Sequence, residues 1–183
     1  PTPAALDNVE THITGSVREL CSAAAAERRA LGYETHILTA SLGCEAREAG
    51  SFLASVAQYH ADTEKPLAFI AGGETVVHIT GTGKGGRNQE LALSAARGIA
   101  GMDNALIFSV GSDGTDGPTD AAGGLADGGT CAALEAKGIS IDRVLADNDA
   151  YHALQQADGL IITGPTGTNV NDAAVLLLRP QTN

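Results

Sequence analysis

The stretch Gly111-Ser112-Asp113-Gly114-Thr115-Asp116-Gly117-Pro118-Thr119-Asp120-Ala121-Ala122-Gly123-Gly124 follows directly on the apolar run Ala105-Leu106-Ile107-Phe108-Ser109-Val110. A short apolar run bounded by turn residues predicts a buried strand. The aspartates then leave its carboxyl end on a loop that glycine holds in tight turns, and in open α/β sheets that end is where ligands bind. Asp113, Asp116 and Asp120 recur at intervals of three and four, too irregular for the face of a strand. A turn whose aspartates merely cap backbone donors accounts for one of them. Three in so short a span favour a functional loop.

The elements around this stretch set its frame. Ser16-Val17-Arg18-Glu19 carries the capping-box signature, and Leu20, Cys21, Ala24, Arg28 and Leu31 continue it at helical spacing until Gly32. A strand is expected before it, over Asn8 to Ile13, and another after it, over Tyr33 to Thr39. Glu45 to His60 predicts a second helix with Ala46, Ala49, Phe52, Leu53, Val56 and Ala57 on its apolar face. Leu67 to Ala71 and Thr75 to Thr80 are strand-like runs separated by Gly72-Gly73-Glu74, which predicts a hairpin. A helix over Arg87 to Ala100 precedes the central strand. Beyond the aspartate loop come a helix over Thr130 to Lys137, a short turn at Arg143 to Leu145 and a helix over Asp149 to Ala157 capped by Asn148 or Asp149. Strands over Leu160 to Ile162 and Ala173 to Leu178 complete the order. The chain reads as one layered α/β domain over residues 1–183, a mixed β-sheet flanked by helices.

Composition narrows the function. With 183 residues, 43% of them hydrophobic, the chain is long enough for a real core. No apolar run reaches the ~18 residues that a membrane helix needs, and Pro1-Thr2-Pro3 lacks the pattern of a signal peptide. A net charge of −11 offers no basic stripe for nucleic acid. Phosphate ligands remain open, because glycine-loop amides and helix N-termini bind them with few basic side chains. Cys21, Cys44 and Cys131 fit neither a disulfide framework nor a zinc site, so a reducing cytoplasm is expected. The absence of Trp argues against an aromatic stacking platform.

Two further loops join the first. Gly81-Thr82-Gly83-Lys84-Gly85-Gly86 has the G-x-G-x-x-G spacing of a dinucleotide fingerprint, but a preceding hairpin would deny it the βαβ setting, and no acidic residue closes the next strand as required. The residues after it say more. Arg87-Asn88-Gln89-Glu90 opens a helix beside unpartnered backbone donors, and the Arg87 fork suits an anion there. Glu90 reads as an ordinary first-turn residue offsetting the dipole. Thr163-Gly164-Pro165-Thr166-Gly167-Thr168-Asn169-Val170-Asn171-Asp172 supplies hydroxyls and amides that suit a hydroxylated or carboxylated small molecule. All three loops lie beside predicted strand ends and are expected to meet. Glu74 either joins them or is a plain turn residue, and His78 reads as a packed or surface histidine.

Gly72-Gly73-Glu74-Thr75-Val76, Gly85-Gly86-Arg87-Asn88-Gln89-Glu90-Leu91, Gly111 to Gly123 and Gly164 to Asp172 together resemble the C-terminal (MOFRL) region of the bacterial glycerate 2-kinases. Leu42-Gly43-Cys44-Glu45-Ala46-Arg47-Glu48-Ala49-Gly50 extends the resemblance over nearly the whole chain. That family has also carried the label hydroxypyruvate reductase, from tartrate utilisation. The resemblance implies a C-terminal domain of a two-domain enzyme, whose larger N-terminal α/β domain, with a catalytic lysine, is missing here. It implies ATP-dependent phosphorylation of D-glycerate to 2-phosphoglycerate in the cleft between the domains. By the same resemblance Arg87 stabilises charge on the transferring group, and Asp113 or Asp116 holds Mg²⁺ or orients the hydroxyl. Glu74, Asn88, Thr168 and Asn169 bind or position the substrate. An NAD(P)H-dependent hydroxypyruvate reductase and a non-catalytic binding domain are the alternatives. The chain alone is expected to be inactive, and the sequence leaves homo-oligomerisation open.

Overall fold

In a computed structural model, which describes residues 8–10, 12 and 15–181, the chain builds one six-stranded mixed sheet. The elements are α1 (Val17–Ala30), β1 (Glu34–Leu42), α2 (Ala46–Tyr59), β2 (Leu67–Gly73), α3 (Arg87–Gly98), β3 (Ala105–Gly111), β4 (Gly123–Asp127), α4 (Thr130–Ala136), α5 (Ile141–Ala146), α6 (Ala150–Gln156), β5 (Leu160–Ile161) and β6 (Asp172–Leu178). The strand order is β1-β2-β6-β3-β4-β5. β1 and β2 are parallel, and every other neighbouring pair is antiparallel.

Side-chain alternation along the strands sorts the core into two layers. Phe69, Ile107 and Leu176 pack with Leu53 of α2 and Leu91 of α3 on one face. Ile70 and Val175 pack with Cys21 and Ala25 of α1 on the other. A third cluster, of Leu93, Leu134, Leu145 and Leu154, fastens α4, α5 and α6 to the far side of α3. α3 is therefore sandwiched and buried from Asn88 to Ala96, polar residues included. At the start of α1 Ser16 caps the helix, its Oγ accepting from Glu19 N at 3.3 Å, the serine half of the expected capping box. Gly32, at φ +86°, ends that helix.

Three expectations need correction. The hairpin at Gly72-Gly73-Glu74 does not form: β1 pairs with one edge of β2 and β6 with the other, so β2 has no free edge for the following residues. Residues 75–80 instead run out extended, with one isolated β-bridge from Val76 to Glu45 and with Ile79 on the surface. Phe52 is 56% exposed, because the buried face of α2 is narrower than its apolar stripe and passes through Gly50 and Ala54 instead. The end of the aspartate stretch is a strand, β4, in which Gly123 lies so close to β3 that a Cβ would meet the Ser109 carbonyl oxygen. The strand expected over Asn8 to Ile13 falls partly outside the described residues, and the described positions there are not in strand.

Register brings the strand ends into line. Gly73 of β2 and Gly111 of β3 flank Asp172 of β6, and Val110, Gly123 and Ile161 align one step further along the sheet. The loops after β2, β3 and β5 thus leave from one end of the sheet. The amino terminus of α3 meets them there.

Candidate functional site

The two distal loops touch backbone to backbone. A Cβ on Gly114 would lie 2.0 Å from the Gly164 carbonyl oxygen, and Gly114 itself has φ +87°. Thr166 N donates to the Asp113 carbonyl at 3.2 Å, and Val170 N donates to Ser112 Oγ at 2.7 Å. Asp113 Oδ1 accepts from Thr115 N at 3.0 Å in a local turn, while Oδ2 accepts from Asn169 Nδ2 at 3.3 Å. Asn169 and Thr168 are exposed beside it. The glycine loop joins from the other side, where a Cβ on Gly117 would meet the Gly85 carbonyl oxygen at 2.6 Å.

Arg87 stands at the centre. Its Nε donates to Asp172 Oδ2 at 2.5 Å and its Nη2 to Asp172 Oδ1 at 3.0 Å, a bidentate fork. Glu74 Oε1 lies 3.6 Å from Nη2, so Glu74 joins the cluster, and the Asp172 bonds and both carboxylates raise the pKa of Arg87 further. Gly111 keeps the space open between the carboxylates. A Cβ there would meet Asp113 Oδ1 at 3.2 Å and Asp172 Oδ1 at 3.5 Å.

Asp116 does something different. The cap of α3 is Gly86, which has no side chain to offer. The Asp116 carboxylate takes that role from another loop, accepting from Asn88 N at 3.2 Å and Gln89 N at 2.9 Å, the helix donors a cap residue ordinarily satisfies. Burial pushes its carboxyl up to about 6, against the lowering pull of the Gln89 and Asn88 N–H groups. Both oxygens face inward at 2% exposure, so the Asp116 expected as a metal ligand is geometrically a helix cap. Asn88 is likewise turned inward, donating to Asp116 Oδ1 and accepting from Ser109 Oγ, and it presents no group to the open surface where a substrate would bind.

Glu90 departs from its reading as a plain first-turn residue. It is buried at 2% exposure, 3.0 Å from Arg47 Nη2, and accepts from Asn148 Nδ2 at 3.1 Å. Asn148 Oδ1 in turn accepts from Thr80 N at 2.7 Å and Gly81 N at 2.9 Å. Thr82 N and Lys84 N are bound by the Asp147 and Asp149 carboxylates, and Gly83 N by the Asp147 carbonyl. The amides of Gly81, Thr82, Gly83 and Lys84 in the G-x-G-x-x-G stretch are thus consumed by the α5–α6 corner and are not free to cradle a phosphate. Tyr151 of α6 lies under Lys84 Nζ, 4.1 Å from the ring centre, and its hydroxyl donates to Asp120 at 2.8 Å. His78 is exposed, and its carbonyl rather than its ring is engaged, by Asn148 Nδ2.

The structure therefore brings together Arg87, Asp113, Glu74, Thr168 and Asn169, and withdraws Asp116 and Asn88 into the scaffold. Sequence reasoning missed a role for Asp172 and for the Arg47–Glu90–Asn148 chain. A carboxylate heading an otherwise apolar strand was the available signal for Asp172. No comparable signal marked the pairing of Arg47 with Glu90, which are 43 positions apart. No group of three or more His, Cys, Asp or Glu side chains is placed to hold a metal ion among the described residues.

Comparison with known proteins agrees with this frame. The MOFRL family model matches residues 67–172. The chain is 50% identical to a D-glycerate 2-kinase of Thermotoga maritima, over 97% of this chain and 43% of that protein. It is 36% identical to an Agrobacterium vitis protein provisionally named a hydroxypyruvate reductase, over 93% of this chain and 48% of that protein. The crystal structure of a glycerate kinase from Thermotoga maritima superposes with a TM-score of 0.91 at 50% identity, over 96% of this chain and 44% of that one. The chain spans less than half the length of these relatives. It belongs to the MOFRL family.

Proposed function

We propose that this MOFRL-family chain is the C-terminal domain of an ATP-dependent glycerate 2-kinase and supplies half of the site that phosphorylates D-glycerate to 2-phosphoglycerate. The observation that carries the reading is the convergence of Arg87, Glu74 and Asp113 at one end of the sheet, above Gly111 and beside the amino terminus of α3. Phosphoryl transfer asks a protein for positioning and for cations placed where charge develops, more than for covalent chemistry. Arg87 supplies one such cation. Thr168 and Asn169, exposed beside Asp113, are placed to orient a small hydroxy acid.

Charge explains why the site is only half of one. The positive charge of Arg87 is already matched by Asp172, with Glu74 near and Asp113 across the gap. An anionic acid and a nucleotide triphosphate meeting there need more positive charge than this chain offers. The part of the relatives that this chain does not span is the proposed source of a further cation, and Mg²⁺ is the proposed other. Magnesium binds through one or two carboxylates together with phosphate oxygens and water. The partly exposed Asp113 fits that role as a single carboxylate, whereas Asp116, with both oxygens on α3, does not. When bound, the ion would offset charge on the phosphate oxygens.

Hydride transfer has less support, because the amides of residues 80–84, which a dinucleotide pyrophosphate would need, are directed at Asp147, Asn148 and Asp149. The three free thiols suit a reducing cytoplasm. The test is glycerate phosphorylation with MgATP by this chain alone and by the intact two-domain protein. Activity confined to the intact protein is the expected result. Turnover by the chain alone would refute the half-site, and none by either would refute the kinase reading.

A further inference from the structure

We infer that Asp172 is a positioning residue of this site, which locks the Arg87 guanidinium so that its remaining edge faces the reacting phosphoryl group; the inference rests on the kinase reading above. Asp172 is the first residue of β6 and is only 6% exposed, followed by the unbroken apolar run Ala173 to Leu178. A buried ion pair contributes little net stability over an apolar pair of the same volume, because desolvation offsets the attraction. A carboxylate here is therefore poorly explained as a device for stability alone.

Asp172 lies between two backbone positions that carry no side chain. Its neighbours across both adjacent strands are glycines, Gly73 on β2 and Gly111 on β3. Gly73, at φ +152°, has no room for a Cβ, which would fall 2.2 Å from the Leu42 carbonyl oxygen. The guanidinium of Arg87 reaches Asp172 from the start of α3 and meets both of its oxygens. Nε and one Nη2 proton are used by Asp172, and the rest of Nη2 faces Glu74. Among the described residues nothing accepts a hydrogen bond from Nη1. Asp172 thereby fixes which edge of Arg87 is offered. A lysine, or an arginine released from Asp172, would carry the same charge without the fixed direction.

The experiment is a double-mutant cycle in the intact protein, with Asp172→Asn, Arg87→Ala and the double variant assayed for glycerate phosphorylation and for thermal unfolding. Asp172→Asn is expected to lower kcat about 10- to 100-fold, the scale of a misplaced catalytic group, with KM for glycerate changing far less. In the Arg87→Ala background the same substitution is expected to have no further effect on kcat. Arg87→Lys, which leaves Asp172 and the charge in place, is expected to fall close to Arg87→Ala. Equal losses from Asp172→Asn in both backgrounds, or near-normal turnover in Arg87→Lys, would overturn the inference. An active wild type with either of those results refutes the positioning role alone, whereas a wild type without glycerate phosphorylation refutes the kinase reading beneath it as well.

Discussion

Asn148 Nδ2 donates to Glu90 Oε2 at 3.1 Å, a polar tie between the α5–α6 corner and the buried first turn of α3. Asn148 reaches this position in the left-handed region, at φ +55°, where asparagine is among the few residues accepted at low cost. Its oxygen holds Thr80 N and Gly81 N, and its amide also reaches the His78 carbonyl. The segment leading into α3, and with it Arg87, is located by this side chain.

Replacing it should show. Asn148→Ala leaves Glu90 short of a donor and two backbone amides short of an acceptor, and keeps an unfavourable φ. A loss of about 2–4 kcal/mol in urea unfolding is expected. Asn148→Gly relieves the backbone but not the hydrogen bonds, and should fall between the wild type and Asn148→Ala. Equal stability of Asn148→Ala and wild type would show that the clamp is not needed.

Asp116 gives a pH signature. Its folded pKa, about 6, lies above the unfolded value of 3.8, so between these values the folded state binds more protons than the unfolded one. Stability contributed by Asp116 is therefore complete below about pH 4, falls as pH rises towards 6, and is level beyond. The slope amounts to at most about 1.4 kcal/mol per pH unit. In denaturant titrations from pH 4 to 7, the difference between wild type and Asp116→Asn should change across that window. A constant difference would contradict the assignment.

Two glycines of similar backbone conformation should respond differently to alanine. Gly32 has φ +86° with nothing within 4 Å of a Cβ, and Gly32→Ala should cost only the left-handed strain, about 1 kcal/mol. At Gly114 a Cβ would meet the Gly164 carbonyl oxygen at 2.0 Å, so Gly114→Ala must part the two loops. A larger destabilisation than at Gly32 is expected, with a marked fall in kcat for the intact protein. Matching effects at the two sites would argue against the loop contact.

The two faces of α2 offer a simpler contrast. Leu53 is 1% exposed, and Leu53→Ala should cost about 2–5 kcal/mol by chemical denaturation. Phe52 is on the surface, and Phe52→Ser should stay within about 0.5 kcal/mol of wild type. A large loss at Phe52 would mean that its ring is covered in this chain.

Much of this was legible in the sequence because it is local. Period, caps and turn glycines predict α1, α2, α3, β2, β3 and β6 close to where they lie, and the strand-end position of the aspartate stretch follows from them. What was not legible depends on pairings far apart in the chain. Residues 75–80 look like a strand, and only the occupation of both β2 edges keeps them from pairing. Gly123 and Gly124 look like loop, because backbone contact with β3 rather than side-chain propensity makes β4. Asp116 resembles Asp113 in its setting, yet the missing side chain at Gly86 draws one inward as a cap and leaves the other at the surface. Arg47 reaches Glu90 and Asn148 only once α2, α3 and the α5–α6 corner have packed together.

The most direct measurement follows ADP formation from MgATP and D-glycerate in the intact protein, with and without Arg87→Ala, while NADH oxidation with hydroxypyruvate is followed in parallel. Loss of one charge-stabilising donor of this kind costs about 10²- to 10³-fold in rate. A fall of that size in glycerate-dependent ADP formation, with no NADH consumed by either protein, is the predicted result. NADH oxidation without ADP formation, or a kinase turnover indifferent to Arg87→Ala, would contradict the account.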